Sequence, residues 1–312
     1  MTDKMKITVL FLAILINTIS CMNTNEKISK NTPPPEEFFQ GKDLIMAKAI
    51  AESNITEIER LIARENYDVN VRGQVTSHGR VQQFTYLNYA VLIRNVKSAE
   101  KLLQLNADVN LIALDGGGQL GNMNIASGGK NRSLMELLLK YKVNLNNPLA
   151  ESPVNPLLIG DSDKSLITLL IENGADLNHQ NYIDGSTPLF TALSIGKFEY
   201  VNYFLDQGAN PLLLDSSGNS VAYLVQKEIE EGRLSDFGLK EYSKLLNRFK
   251  NELRIQFPLN RNNRKSLEQS ISRYENLTKE EKDLLGSEEL ERIDKYRNSL
   301  SKGVDLIERP LD

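Results

Sequence analysis

Residues Asp184 to Asn210 read D-G-S-T-P-L-F-T-A-L-S-I-G-K-F-E-Y-V-N-Y-F-L-D-Q-G-A-N, a stretch that predicts two short antiparallel helices. Thr187 followed by Pro188 is a helix start. The hydroxyl accepts from an orphan amide of the first turn, and the ring occupies the first helical position, where no N–H is missed. Gly196 breaks the chain after about two turns, so a second helix must fold back on the first. In that second helix Tyr200, Val201, Phe204 and Leu205 form one apolar stripe that needs a cover. Gly208 supplies a left-handed residue that ends the helix cheaply, and Asp184-Gly185 is a turn signal ahead of the unit.

Outward from this stretch, looser copies recur. Asp68-Val69-Asn70, Ala107-Asp108-Val109-Asn110, Val143-Asn144-Leu145-Asn146, Ala175-Asp176-Leu177-Asn178 and Ala209-Asn210-Pro211-Leu212 close successive units at separations of 40, 36, 32 and 34 residues. Each unit carries its own apolar stripe: Ile58, Leu61 and Ile62; Ala99, Leu102 and Leu103; Met135, Leu138 and Leu139; Ile167, Leu170 and Ile171. A sixth unit starts at Asp215-Ser216-Ser217-Gly218 and turns polar after Val225, which suits a terminal cap with nothing beyond it to cover. These unit ends, starts and spacings resemble ankyrin repeats, whose period is about 33 residues. The resemblance implies an all-α ankyrin-repeat solenoid of about six helix-turn-helix repeats with β-hairpin fingers, followed by a helical C-terminal tail. It also makes Thr187, Pro188, Gly196 and Gly208 structural repeat positions.

The segments between units depart most from that pattern. Fourteen residues, Val71 to Phe84, precede Thr85, and ten, Leu111 to Leu120, fill the next gap. Val75 and Val81 flank Thr76-Ser77-His78-Gly79-Arg80, which predicts an elongated hairpin turning near His78-Gly79. Ankyrin proteins meet partners with finger tips and with the exposed side of each first helix. Carried onto this chain, that implies Arg72, Gln74, His78, Arg80, Gln82 and Phe84 on the long finger as partner-binding residues. Leu92 and Ile93 in the second unit, and Ser194 and Ile195 in the fifth, take the concave positions.

The flanks divide the chain into a signal at 1–20, a flexible tether at 21–42, the repeat domain at 43–256 and a polar helical tail at 257–312. Lys4 and Lys6 precede an apolar run, Ile7 to Ile16, that is too short to span a bilayer. The approach to Cys21 resembles a bacterial lipoprotein signal, except that Thr18 stands where Leu, Val or Ile is usual. The resemblance implies a lipidated Cys21, a periplasmic location and anchorage to the outer membrane. Thr278 with Glu281, and Ser287, predict two helix starts in the tail.

A net charge of -4 among 312 residues speaks against a nucleic-acid binder, and two histidines with one cysteine leave too few ligands for a zinc or iron–sulfur site. His78 lacks a nucleophile or carboxylate partner, and His179 reads as a surface loop residue. Gly128-Gly129-Lys130-Asn131 lacks the first glycine and the hydroxyl residue of a phosphate loop. Asp161 and Asp163 read as complements to a helix N-terminus. The cations from Lys244 to Lys265 read as the solvated face of a capping helix. No catalytic residue, metal or cofactor is expected. Phe38-Phe39-Gln40-Gly41 leading into Leu44 to Ile50 looks similar to periplasmic ankyrin lipoproteins encoded beside type VI secretion effectors, often phospholipases. That similarity implies a monomeric immunity protein that binds and neutralises a secreted toxin. Support of a housekeeping enzyme, or hydrolysis using Asp161, Asp163 or His78, are the other readings carried.

Overall fold

A computed structural model describes residues 32–77, 80–115, 118–160, 163–285 and 287–302; the signal, Cys21, His78 and Asp161 lie outside the described residues. In chain order, after a 3-10 turn at Pro35–Glu37, the elements are α1 (Gly41–Ala51), α2 (Ile55–Glu65), β1 (Arg72–Ser77) and β2 (Arg80–Thr85), then α3 (Tyr86–Leu92), α4 (Val96–Gln104), β3 (Ala113–Asp115) and β4 (Gly118–Leu120). There follow α5 (Asn122–Gly128), α6 (Arg132–Lys140), α7 (Asn155–Leu158), α8 (Lys164–Glu172), α9 (Pro188–Ser194) and α10 (Phe198–Asp206). The chain ends with α11 (Val221–Glu231), α12 (Asp236–Asn251), α13 (Asn263–Glu275), α14 (Lys279–Asp283) and α15 (Ser287–Lys302).

Contacts partition the chain into two units, one of Met1–Asn147 with Ile159–Asn173, the other of Pro148–Leu158 with Gly174–Asp312. The division runs through the fourth repeat: α7 belongs to the second unit and α8 to the first.

The helix pairs form for the reasons the sequence gives. Asn54, Thr85, Asn95, Asn131, Asp163, Thr187, Ser220 and Ser235 each accept from a backbone N–H of the following helix. The expected stripes are buried: Ile58 and Leu61 on α2, Ala99 and Leu102 on α4, Met135 and Leu138 on α6, Val201 and Phe204 on α10. Gly196 and Gly208 end their helices at φ 71° and 88°, the left-handed region.

Neighbouring repeats are tied by a recurring pair of hydrogen bonds. Asp68, Asp108, Asn144, Asp176 and Asn210 each accept from the N–H two residues on, at 2.8–2.9 Å. Within the first unit, Asn70 Oδ1 then accepts from the Asp108 N–H at 2.8 Å and Asn110 Oδ1 from the Asn144 N–H at 2.7 Å. Within the second, Asn178 Oδ1 accepts from the Asn210 N–H at 2.7 Å.

The start of the chain corrects the expected tether, because residues 32–42 are folded. Phe38 and Phe39 are buried against the second repeat, Phe38 edge-on to Phe84 at 4.6 Å and Phe39 tilted on Tyr86 at 5.3 Å. Gly73 makes the room: a Cβ there would lie 2.4 Å from Phe39 Cδ1. Phe39→Ala should therefore destabilise the fold by about 3–5 kcal/mol, read as a lower urea midpoint. An unchanged midpoint would mean that the turn is not part of the core.

Candidate protein-binding surface

The long finger is the hairpin that its spacing implies, with Ser77 and Arg80 paired across the expected turn. It does not stand alone. β2 pairs with β3 of the next finger, giving one antiparallel sheet in the order β1-β2-β3-β4. The register aligns Gly73, Phe84, Ala113 and Leu120 across the sheet, and alternates them with Gln74, Gln83, Leu114 and Gln119. Successive strand residues point to opposite faces. The first row includes the buried Phe84 and Ala113, whereas Gln74 of the second row is exposed.

This division corrects two of the expected partner residues. Phe84 is turned into the interior beneath Phe38 and presents no face to a partner. Arg72 donates to the Ile112 carbonyl, fastening the first finger to the second, and its burial pushes the guanidinium below its ordinary pKa. Gln82 is half-buried and its Nε2 donates to Asp115 Oδ1 at 3.4 Å, again from finger to finger. Gln74 stays exposed and accepts from Gln83 Nε2 at 3.3 Å. Leu92 and Ile93 are half-buried at the end of α3. Ser194 is exposed with its hydroxyl donating to the Phe190 carbonyl at 2.8 Å, and Ile195 beside it is half-buried. Thr76 and Val81 join Gln74 as exposed finger residues, and Ile45 stands out on α1. The alternation of the hairpin could have exposed Thr76 and Val81 to sequence reasoning; Ile45 carries no such signal.

In the second unit the corresponding loops are occupied by the tail. Arg261 Nε donates to the Ser217 carbonyl at 2.6 Å, the Asn262 N–H to Gly218 O at 2.9 Å, and Ser266 Oγ to Asp215 O at 2.7 Å. Arg273 Nη1 donates to Gln180 Oε1 at 3.2 Å, and Arg292 Nη1 to Ile183 O at 2.9 Å while lying over the Tyr182 ring. Thr278 and Glu281 form the expected capping box. The basic run from Lys244 to Lys265 is thus not one solvated face. Arg248 donates to Asn202 Oδ1 at 2.9 Å and pairs with Asp206, and Arg261 docks the tail.

Of the residues weighed for catalysis, His78 and Asp161 lie outside the described residues, and His179 and Asp163 have structural partners. His179, expected as a surface loop residue, is half-buried in a loop with Nε2 2.8 Å from the Ala150 carbonyl. Asp163 caps α8, and its bonds to Ser165 hold its carboxyl below the usual range. Among the described residues no three His, Cys, Asp or Glu side chains gather as metal ligands, and no helix is long and apolar enough to cross a membrane.

The family model for ankyrin repeats matches residues 123–215 as three copies. The chain is 30% identical over 136 residues to an ankyrin repeat protein of Acanthamoeba polyphaga mimivirus, covering 44% of this chain and 74% of that one. It is 24% identical over 190 residues to Protein PhlB of Serratia liquefaciens, covering 61% and 64%. Among solved structures, the ankyrin repeat domain of Bcl-3 superposes with a TM-score of 0.50 at 20% identity, over 67% of this chain and 87% of that one.

One ionisable group should make stability pH-dependent. Burial pushes the Glu151 carboxyl up from 4.5 to about 7, opposed by its bond from Asn155 and aided by Asp184. Between those values the folded protein holds a proton that the unfolded chain has lost, so stability is full below pH 4.5 and falls as pH rises to about 7. Melting temperatures should decline across that window, and Glu151→Gln should flatten the decline. A variant with an undiminished slope would assign it elsewhere.

Proposed function

The chain belongs to the ankyrin repeat proteins, and from that premise we propose that it is a non-catalytic periplasmic protein that binds and neutralises a secreted toxin. Ankyrin repeats form protein-binding scaffolds, and the observation that carries the proposal is the uneven treatment of the fingers. In the first unit they are enlarged, joined into a four-stranded sheet, and left with Gln74, Thr76 and Val81 exposed. In the second unit the finger loops are filled by the protein's own tail. A rigid sheet offers partner-facing side chains at fixed spacing, so little ordering entropy is lost on binding.

The toxin reading rests on the similarity of the opening from Phe38 to Ile50 to immunity-type ankyrin lipoproteins. In it, acylation of Cys21 holds the protein at the outer membrane, where an incoming effector arrives. Two acyl-type signals are enough for stable anchorage.

Cells lacking the gene should be killed by siblings that still deliver the toxin, and the wild-type gene should restore survival. Gln74→Lys, Thr76→Lys and Val81→Glu together should abolish rescue without lowering the melting temperature, since the new charges at 76 and 81 are opposite in sign and face each other across the hairpin. Indifference of the deletion strain to its siblings would sink the immunity role. Rescue by the triple variant would move the binding surface away from the finger.

A further inference from the structure

The second helix of the last repeat, α12, carries a row of side chains that the fold does not use. Its inner face is set by Leu245 and Phe249, both buried. On the outward side Phe237, Lys240, Lys244, Asn247 and Asn251 follow at spacings of 3, 4, 3 and 4 residues, so they lie along one line of the helix, and all five are exposed. Phe237 is the most exposed large hydrophobic residue described, at 66%, and Leu239 beside it is 45% exposed. Phe198 of α10 stands edge-on to Phe237 at 6.2 Å and to Tyr242 at 5.5 Å, which props the Phe237 ring without covering it. A ring left in water in this way forgoes the gain of burial.

The charges on this helix are uneven. Lys240, Lys244 and Lys250 are exposed, against Asp236 as the exposed carboxylate within α12. Glu241 is half-buried and accepts from Lys244 at 2.6 Å, and Glu252 just past the helix is paired with Arg248 at 3.1 Å. On the neighbouring α11, Glu231 is taken by Lys227 and Arg233, and Glu230 accepts from Gln226 at 2.8 Å. Asp236 and Glu199 remain as exposed carboxylates next in sequence to the two phenylalanines. Beyond the other end, Leu253 is 40% exposed with the exposed Arg254 beside it. Each end of α12 thus sets apolar side chains among cations, on a protein whose net charge is -4.

We propose that the outward row of α12 rests on an anionic phospholipid surface, with Phe237 and Leu239 entering the headgroup region and Lys240, Lys244 and Lys250 over the phosphates. At sixteen residues the helix is about 24 Å long, so it lies flat on such a surface and does not cross it. Phenylalanine and leucine among lysines are the composition that a headgroup boundary takes up, the apolar groups by burial and the lysines by attraction to the negative leaflet. A protein partner fits less well, because the two apolar side chains stand on a helix ridge edged by lysine, a residue that protein interfaces deplete. The contact goes beyond the protein-binding reading and does not rest on it.

The test uses the chain from Met22, which keeps every described residue and leaves out Cys21 and the apolar run Ile7 to Ile16, so that neither an acyl group nor that run holds it to lipid. It should co-sediment with vesicles of phosphatidylethanolamine and phosphatidylglycerol in a salt-sensitive manner, and hardly with vesicles of phosphatidylcholine alone. Phe237→Ser and Lys240→Glu should each weaken binding to the anionic vesicles about tenfold at an unchanged melting temperature, and Asp236→Asn should strengthen it about twofold. Lys97→Glu makes the same charge change on the exposed surface of α4 and should leave binding as it is. Absence of binding to the anionic vesicles, or an equal loss with Lys97→Glu, would overturn the assignment. Loss in Lys240→Glu with none in Phe237→Ser would point instead to an acidic protein partner and would overturn it too. None of these outcomes depends on the finger surface or on whether its partner is a toxin.

Discussion

The repeats are held in step by asparagine. A helix pair can slide against its neighbour without losing much apolar contact, since aliphatic packing is non-directional. The bond from one unit's terminal asparagine to the next unit's backbone N–H is directional and admits one register. The aspartate or asparagine two residues earlier shapes the loop by accepting from the backbone ahead of it, which aims that side chain at its neighbour. Hence the motif recurs as a pair, and the stripes of leucine and isoleucine supply burial against a geometry already set.

Two features override simple repetition. Phe38 and Phe39 insert ahead of the first repeat, and their space exists because residue 73 has no side chain. Tyr86 and Tyr89 complete the cluster, with Tyr86 donating to Asp43 at 2.7 Å and Tyr89 to the Pro33 carbonyl at 3.2 Å. The cluster thus locks the chain's entry, the first helix and the long finger together. At the other end, arginine and serine side chains of the tail reach backbone carbonyls of the last two finger loops, so the final repeats are sealed by polar contacts.

What was legible in the sequence was local or periodic. Caps, left-handed glycines, helix stripes and the pairing of β1 with β2 all depend on residues close to each other in the chain. Phe38 and Phe39 read as part of a tether because two aromatic residues make no period, and their partners are some 45 residues away in the chain. The pairing of β2 with β3 is equally non-local, so Arg72 looked like a free finger residue when it bridges two fingers. Phe84 failed for a related reason: strand alternation says that residues divide between two faces, but which face is interior depends on what covers it.

The fused fingers alter how the first unit comes apart. In a linear array each repeat ordinarily opens with only its neighbours' interfaces resisting, and fraying can begin wherever the local sum is smallest. The ladder between β2 and β3 binds repeats two and three by main-chain hydrogen bonds as well as by helix packing. Those repeats, with the first repeat that the Phe38–Phe39 cluster ties to the long finger, should then open as one cooperative block whose amides exchange with solvent together. The protein's exposed finger residues are carried by that block, so the surface offered to a partner should be held by contacts that reach across more than one repeat.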